Sequence, residues 1–402
     1  MELLNTATTQ SIPELMGIRV EFLLFAATLI GVAIFHNKTM QVALLGLAAV
    51  LVFKIVFDPA FSLPEHFLGG HEAEGEWRIL LNLTGLLFGF AILAKHFEAS
   101  GVPNAFHNFL PKGWQGGFVL LLLIGVISTF LDNIAAAIIG GKIAQVMYRG
   151  RVHTGFLAAI IAASNAGGAG SVVGDTTTTM MWIEGVSALE VSHAFVGSVA
   201  AILIFGMIAA RQQAKVQQIE HDIAMQEVKI DYKKIAIVAL ILAGAIIANW
   251  TIGFPAAGIW IAIIIGATFS NTHWDEIPKA IKGTIFLLSL VASASLMPVS
   301  DLPVPSWETT FGLGFVSAVF DNIPLTKLCL EQGGYDWGFL AFAVGFGGSM
   351  IWFGSSAGVA LSNMFPQAKS TLSYLKNGWH IAVAYIIAFF VMLLVVGWNP
   401  GA

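Results

Sequence analysis

Charge is scarce in this chain. Of 402 residues, only 11% are Asp, Glu, Lys or Arg, while 57% are hydrophobic, and the mean hydropathy is +0.81. A soluble domain carries roughly 25% charged residues. The deficit excludes a surface bathed in water and predicts an all-α polytopic membrane protein. Cysteine is nearly absent too. Cys329 stands alone, which excludes an internal disulfide and a thiolate metal site. There is no histidine cluster with metal-ligand spacing and no nucleophile motif, so an enzyme is not expected, and neither is a cofactor. Gly167-Gly-Ala-Gly lacks the lysine of a P-loop and lies in an apolar segment, which excludes phosphate binding there. The net charge of −5 says little, because in such a protein the location of charge matters more than its sum; the expected partner is the lipid bilayer, not nucleic acid. The first apolar run, 20–35, has no small-residue cleavage site and reads as a retained helix.

What the chain has is long hydrophobic runs. A spanning helix needs about 20 mostly apolar residues, and candidate spans lie at 20–35, 40–57, 78–94, 190–210, 234–250, 255–270, 281–299 and 379–398. Two irregular blocks separate them, and these blocks repeat each other. Gly125-Val-Ile-Ser-Thr-Phe-Leu-Asp132-Asn133 is matched by Gly314-Phe-Val-Ser-Ala-Val-Phe-Asp321-Asn322. Downstream, Gly155-Phe-Leu-Ala is echoed by Gly338-Phe-Leu-Ala, and Gly167-Gly168-x5-Gly174-Asp175-Thr176 by Gly347-Gly348-x5-Gly354-Ser355-Ser356. Short apolar arms around each Asp-Asn predict re-entrant hairpins. The Gly-interrupted segments predict helices broken near mid-membrane, tolerated only inside protein or beside a watery cavity. Two related halves with interrupted spans are the pattern of a secondary transporter.

The expected organisation is a first repeat over 1–210 (hairpin 118–148, broken helix 155–183), a linker over 211–233, and a second repeat over 234–402 (hairpin 307–330, broken helix 338–365). With about 10 full crossings and two hairpins, 14 of the 19 Lys and Arg residues fall on one side. The positive-inside rule makes that side cytoplasmic. Both termini then lie outside, and the halves are inverted. Segment 97–112 reads as an interfacial helix.

Asp132, Asp175 and Asp321 are the acidic residues this map buries. A charge at the bilayer centre costs about 2.5–3.5 kcal/mol on insertion scales, so cation coordination or proton carriage is the expected role; capping of the second hairpin arms is the alternative. Ser128, Asn133, Ser164, Asn165, Thr176, Thr177 and Thr178 offer neutral oxygen around Asp132 and Asp175. Ser317, Asn322, Ser349, Ser355 and Ser356 do so in the second half. Hard cations choose such ligands, and Asp132, Asn133 and Asp175 are the expected sodium ligands. Lys142 and Lys327, in the second hairpin arms, are read as reaching the nearer surface. His96, His107, His153 and His193 are read as interfacial anchors.

At these residues the chain resembles the ion transporter superfamily of citrate and dicarboxylate carriers, arsenite exporters and sodium/proton antiporters, and most of all the NhaD type. Phe130-Leu-Asp132-Asn133 and Ser164-Asn-Ala-Gly-Gly-Ala-Gly-Ser-Val-Val-Gly-Asp175-Thr-Thr-Thr-Thr resemble its first-half motifs, and Ser317 to Asn322 with Pro324 its second hairpin. The resemblance implies two inverted repeats, a homodimer in a bacterial inner membrane, elevator-like alternating access, and transported Na+ or Li+ and H+. It also implies that Ser128, Asp132, Asn133, Asp175, Thr177, Thr178, Ser317 and Asn322 form the functional polar set, with Ser355 and Ser356. Carboxylate carriers of the superfamily have neutral Ser-Asn-Thr hairpin tips, where this chain has Asp-Asn. Two functions stay open: cation/proton antiport, and transport of citrate, another carboxylate or arsenite. Three aspartates and no arginine at the tips favour the first.

Overall fold

In the computed structural model, residues 13–35, 38–70, 75–105, 110–219 and 229–401 are described. The chain is an all-α polytopic membrane protein. Among the described residues the only sheet is a two-residue ladder, Glu14–Leu15 against Ile18–Arg19. The first half contains α1 (Val20–Ile34), α2 (Thr39–Phe57), α3 (Leu63–Leu68), α4 (Trp77–Ala99), α5 (Val102–Ala105), α6 (Trp114–Ser128), α7 (Asn133–Met147), α8 (Thr154–Ala169), α9 (Thr176–Ile183), α10 (Ala188–Ser192) and α11 (Ala194–Val216). The second contains α12 (Tyr232–Ile252), α13 (Pro255–Ala267), α14 (Glu276–Ser295), α15 (Trp307–Ser317), α16 (Asn322–Gln332), α17 (Trp337–Gly347), α18 (Ser356–Met364) and α19 (Thr371–Val395).

All eight expected spans are helices. Six stretches are long and apolar enough to cross a membrane, with α10 and α11 forming one of them. The other two, α1 and α13, have 15 and 13 residues. At 1.5 Å per residue they rise about 20 Å, short of a hydrocarbon core of about 30 Å. The linker is shorter than its sequence reading, because α11 continues to Val216; 220–228 lie outside the described residues. The expected interfacial helix 97–112 is instead the end of α4 plus the four-residue α5. His107 and the rest of 106–109 lie outside the described residues.

Local chemistry sets the boundaries. Asp231 caps α12 by accepting from the N–H groups of Lys233 and Lys234. Gly253 ends it at φ 61°, a left-handed conformation that favours glycine. Pro255 then opens α13, where its missing N–H costs nothing.

The packing interleaves the two halves. One group of helices, α1, α2, α4, α12, α13 and α14, packs on itself; α6 to α11 and α15 to α19 form a second group. The groups meet chiefly where α14 lies against α16 and α4 against α9. Within the second group the contacts are reciprocal. α6 lies on α8 as α15 lies on α17, and α18 packs on α7 as α9 packs on α16. The surface agrees with a lipid environment: Leu45, Trp250, Phe269 and Leu394 are 71%, 87%, 71% and 86% exposed.

Candidate ion-binding site

α8 and α17 are wholly buried at the centre, from Gly155 to Ala169 and from Trp337 to Gly347. Each ends where the sequence places its Gly-Gly pair, and the chain resumes as a helix at Thr176 and at Ser356. The hairpin tips, at 129–132 and 318–321, lie beside these breaks. Serine hydroxyls fasten tip to break in both halves. Ser128 Oγ donates to the Ser164 carbonyl (2.6 Å) and Ser317 Oγ to the Val344 carbonyl (2.6 Å).

Asp175 is the hub. It caps α9, its Oδ1 accepting from Thr177 N–H (3.0 Å). Its Oδ2 accepts from Asn133 Nδ2 (2.9 Å), which also donates to Asn165 Oδ1 (3.1 Å). Asn165 Nδ2 then donates to Ser349 Oγ (2.9 Å) and Ser355 Oγ (3.0 Å) in the second half. Both amide groups use both of their N–H bonds, so the side-chain orientations are fixed by the network. Asp175, Asn133, Asn165, Ser349 and Ser355 are all buried. The Thr177 hydroxyl is buried beside the same carboxylate and finds no partner of good geometry.

Asp132 and Asp321 cap α7 and α16, through Ile134 N–H (3.3 Å) and Ile323 N–H (3.0 Å). The capping alternative is therefore real at both tips. It occupies Oδ1 of each carboxylate, and among the described residues no hydrogen bond to the other oxygen is formed. Asp132 also lines a cavity of about 520 Å³ between α4, α7 and α14. Lys95, Glu98, Lys142, Glu276 and Lys279 line the same cavity. The cavity thus reaches one of the three carboxylates, Asp132, which is half-buried, as is Asp321.

Other expected ligands are committed locally. Thr178 Oγ1 donates to the carbonyls of Ser171 (2.6 Å) and Asp175 (2.9 Å), and Ser164 Oγ to that of Ile161 (2.8 Å). Their lone pairs remain. Thr176 and Ser356 are half-buried at the first positions of α9 and α18, and Asn322 is buried at the start of α16.

Two sequence readings are corrected. The three aspartates are not the only buried acids. Glu21 is fully buried and paired with Arg19 and Lys54, and Asp336 is buried as the cap of α17. Lys327 does not reach the surface. It is 1% exposed and held by Glu76, Glu184 and Glu331. Lys142 does reach outward, to Glu98 at the cavity. Sequence reasoning also missed Tyr374, whose hydroxyl donates to the Ser349 carbonyl (2.8 Å). It lies in α19 outside both repeated motifs, so no pattern marked it.

The bridge through Asn165 carries an expected result. Asn165→Ala removes the acceptor for Asn133 and strands two buried serines. The loss is about 1–3 kcal/mol, read as a lower melting temperature in detergent. An unchanged melting temperature shows that the bridge does not join the halves.

No family model matches the chain. Among curated proteins it is 28% identical over 293 residues to sodium/proton antiporter 1 of Arabidopsis thaliana, covering 62% of this chain and 50% of that protein. The chain thus spans about half the length of that relative. It is 25% identical over 356 residues to the Na(+)/H(+) antiporter NhaD of Vibrio cholerae, covering 72% of each chain. An uncharacterized transporter of Mycobacterium tuberculosis is 24% identical over 392 residues, covering 84% of this chain and 88% of its own. With its hairpin and broken-helix motifs folded around one buried carboxylate, the chain is similar to sodium/proton antiporters, the NhaD type among them.

Proposed function

We propose that this chain is a secondary active transporter, a sodium (or lithium)/proton antiporter working by alternating access. The observation that carries the reading is the setting of Asp175. Its carboxylate is buried among neutral amide donors of Asn133 and Thr177, and Asp132, next to Asn133 at the hairpin tip, lines the cavity. A site of this composition is under-neutralised until a cation or a proton arrives. Small hard cations bind carboxylate, amide and hydroxyl oxygen, which Asp132, Asn133, Asp175 and Thr177 supply. The relatives named as sodium/proton antiporters support the same cargo.

Exchange follows from competition. Sodium and protons claim the same carboxylates, so occupancy by one excludes the other. If only the loaded forms rearrange readily, sodium bound on one side is traded for protons on the other. The helices that carry the site, α6 to α9 and α15 to α18, would move against α4 and α14, with the halves inverted in the bilayer. A homodimer in a bacterial inner membrane, both termini outside, completes the reading.

The test is sodium-driven proton movement in proteoliposomes, followed with a pH dye and no organic anion present. Lower pH raises proton occupancy of the carboxylates, so apparent sodium affinity falls. The loss is up to about tenfold per pH unit for each competing proton. Absence of sodium- or lithium-driven proton movement, together with uptake of labelled citrate, sinks the proposal and selects carboxylate transport.

A further inference from the structure

The two ends of α4 are in opposite states. At its start, Leu83 packs with Met180 of α9, Leu287 and Val291 of α14, and Ile323 of α16 in a closed apolar seam. At its other end, the same helix borders the open cavity beside α7 and α14. A lysine from the second arm of each hairpin reaches one end. Lys142 of α7 pairs with Glu98 across the open cavity, both partly exposed. Lys327 of α16 pairs with Glu76 at the closed end.

The closed-end cluster is built differently from a surface ion pair. Lys327 Nζ is shared by Glu331 (2.6 Å), Glu184 (2.9 Å) and Glu76 (3.2 Å). Glu331 belongs to the hairpin, Glu184 follows α9, and Glu76 precedes α4. One ammonium therefore joins the two helix groups, which at this end also meet through the apolar contacts of Leu83, Met180 and Ile323. Glu76 Oε2 is buried and has no partner among the described residues, so this carboxylate depends on Lys327. Lys327 is buried and Glu76 largely so, while Glu184 and Glu331 reach the surface; removing Lys327 leaves the Glu76 charge uncompensated. Three carboxylates around one lysine are also under-neutralised, which suits a contact that has to form and release.

We propose that Lys327, with Glu76 and Glu184, is an ionic latch that holds the Glu76 end of the transport route shut while the Glu98 end is open. The latch assumes the alternating access of the proposed function, but its test needs no ion exchange.

Cysteines are placed on a Cys329→Ser background at Leu80, in the closed seam, and at Ala280, in the cavity wall. Labelling by an impermeant maleimide is followed from each face of membrane vesicles. Lys327→Gln is expected to speed labelling at Leu80→Cys about tenfold and to slow it at Ala280→Cys, a shift in the two-state population. Glu76→Gln, which leaves Lys327 with two carboxylates, is expected to move both rates in the same directions and decides the case if Lys327→Gln does not fold. Unchanged rates in folded protein overturn the latch. Faster labelling at Leu80 without slower labelling at Ala280 is loosened packing, and overturns it too. Loss of sodium-driven proton movement in the parent chain, with the labelling shift intact, sinks the transport reading alone.

Discussion

Asp175→Asn is expected to abolish sodium-driven proton movement, by more than about 100-fold, an effect of at least ~2.7 kcal/mol, while folded protein remains in the membrane. The substitution is close in shape, and an amide oxygen can still cap α9 at Thr177 N–H. The charge to which the proposed function assigns sodium and proton binding is gone. Asp132→Asn is expected to do the same, because Asp132 lines the cavity beside the site. Both purified variants would be assayed in proteoliposomes beside a melting curve. Near-normal exchange by either variant removes that residue from the mechanism. Loss in one alone defeats the shared site.

The second large effect concerns backbone. A methyl at Gly167 would overlap the Gly125 carbonyl, and one at Gly347 the Gly314 carbonyl. Both obstacles are main chain, so no side-chain rotation relieves them. Here hairpin and broken helix touch without an intervening side chain, which brings the aspartate tips next to the breaks. Gly167→Ala and Gly347→Ala are expected to lose about 3 kcal/mol or more, read as aggregation or early melting in fluorescence-detected size-exclusion chromatography. Gly312→Ala is the control, since nothing lies within 4 Å of a methyl there. Equal stability of all three variants would mean that the glycine frame is not a packing device.

The repeated frame explains why the sequence revealed so much of the site. Gly125 with Gly167 and Gly314 with Gly347 are the same contact made twice, and each glycine lies in a repeated motif. The aspartates were legible because a carboxylate inside an apolar run is costly wherever the run folds. Ser128 and Ser317 were legible as polar groups in such a run. Their bonds to Ser164 and Val344 carbonyls were not, because a hydroxyl in sequence does not name its acceptor.

The sequence by itself determined the lipid environment, the helices, the two hairpins with their capping aspartates, and the Gly-broken segments. Each follows from apolar content, from a capping residue or from a local repeat, and each is settled within a few turns of helix. Tertiary structure decided which groups meet. Asn165 reaches Ser355 across 190 residues, and Lys327 reaches Glu76 across 251. Both contacts depend on how the two halves interleave. The same packing left α4 sealed at one end and open at the other. Lys327 shows the physical reason. A lysine one turn from an apolar surface can snorkel to water or stay buried, and its stem serves both equally. The choice was made by Glu76 and Glu184, which arrive from elsewhere in the chain and join Glu331 of the same helix to offset the cost of burying its charge.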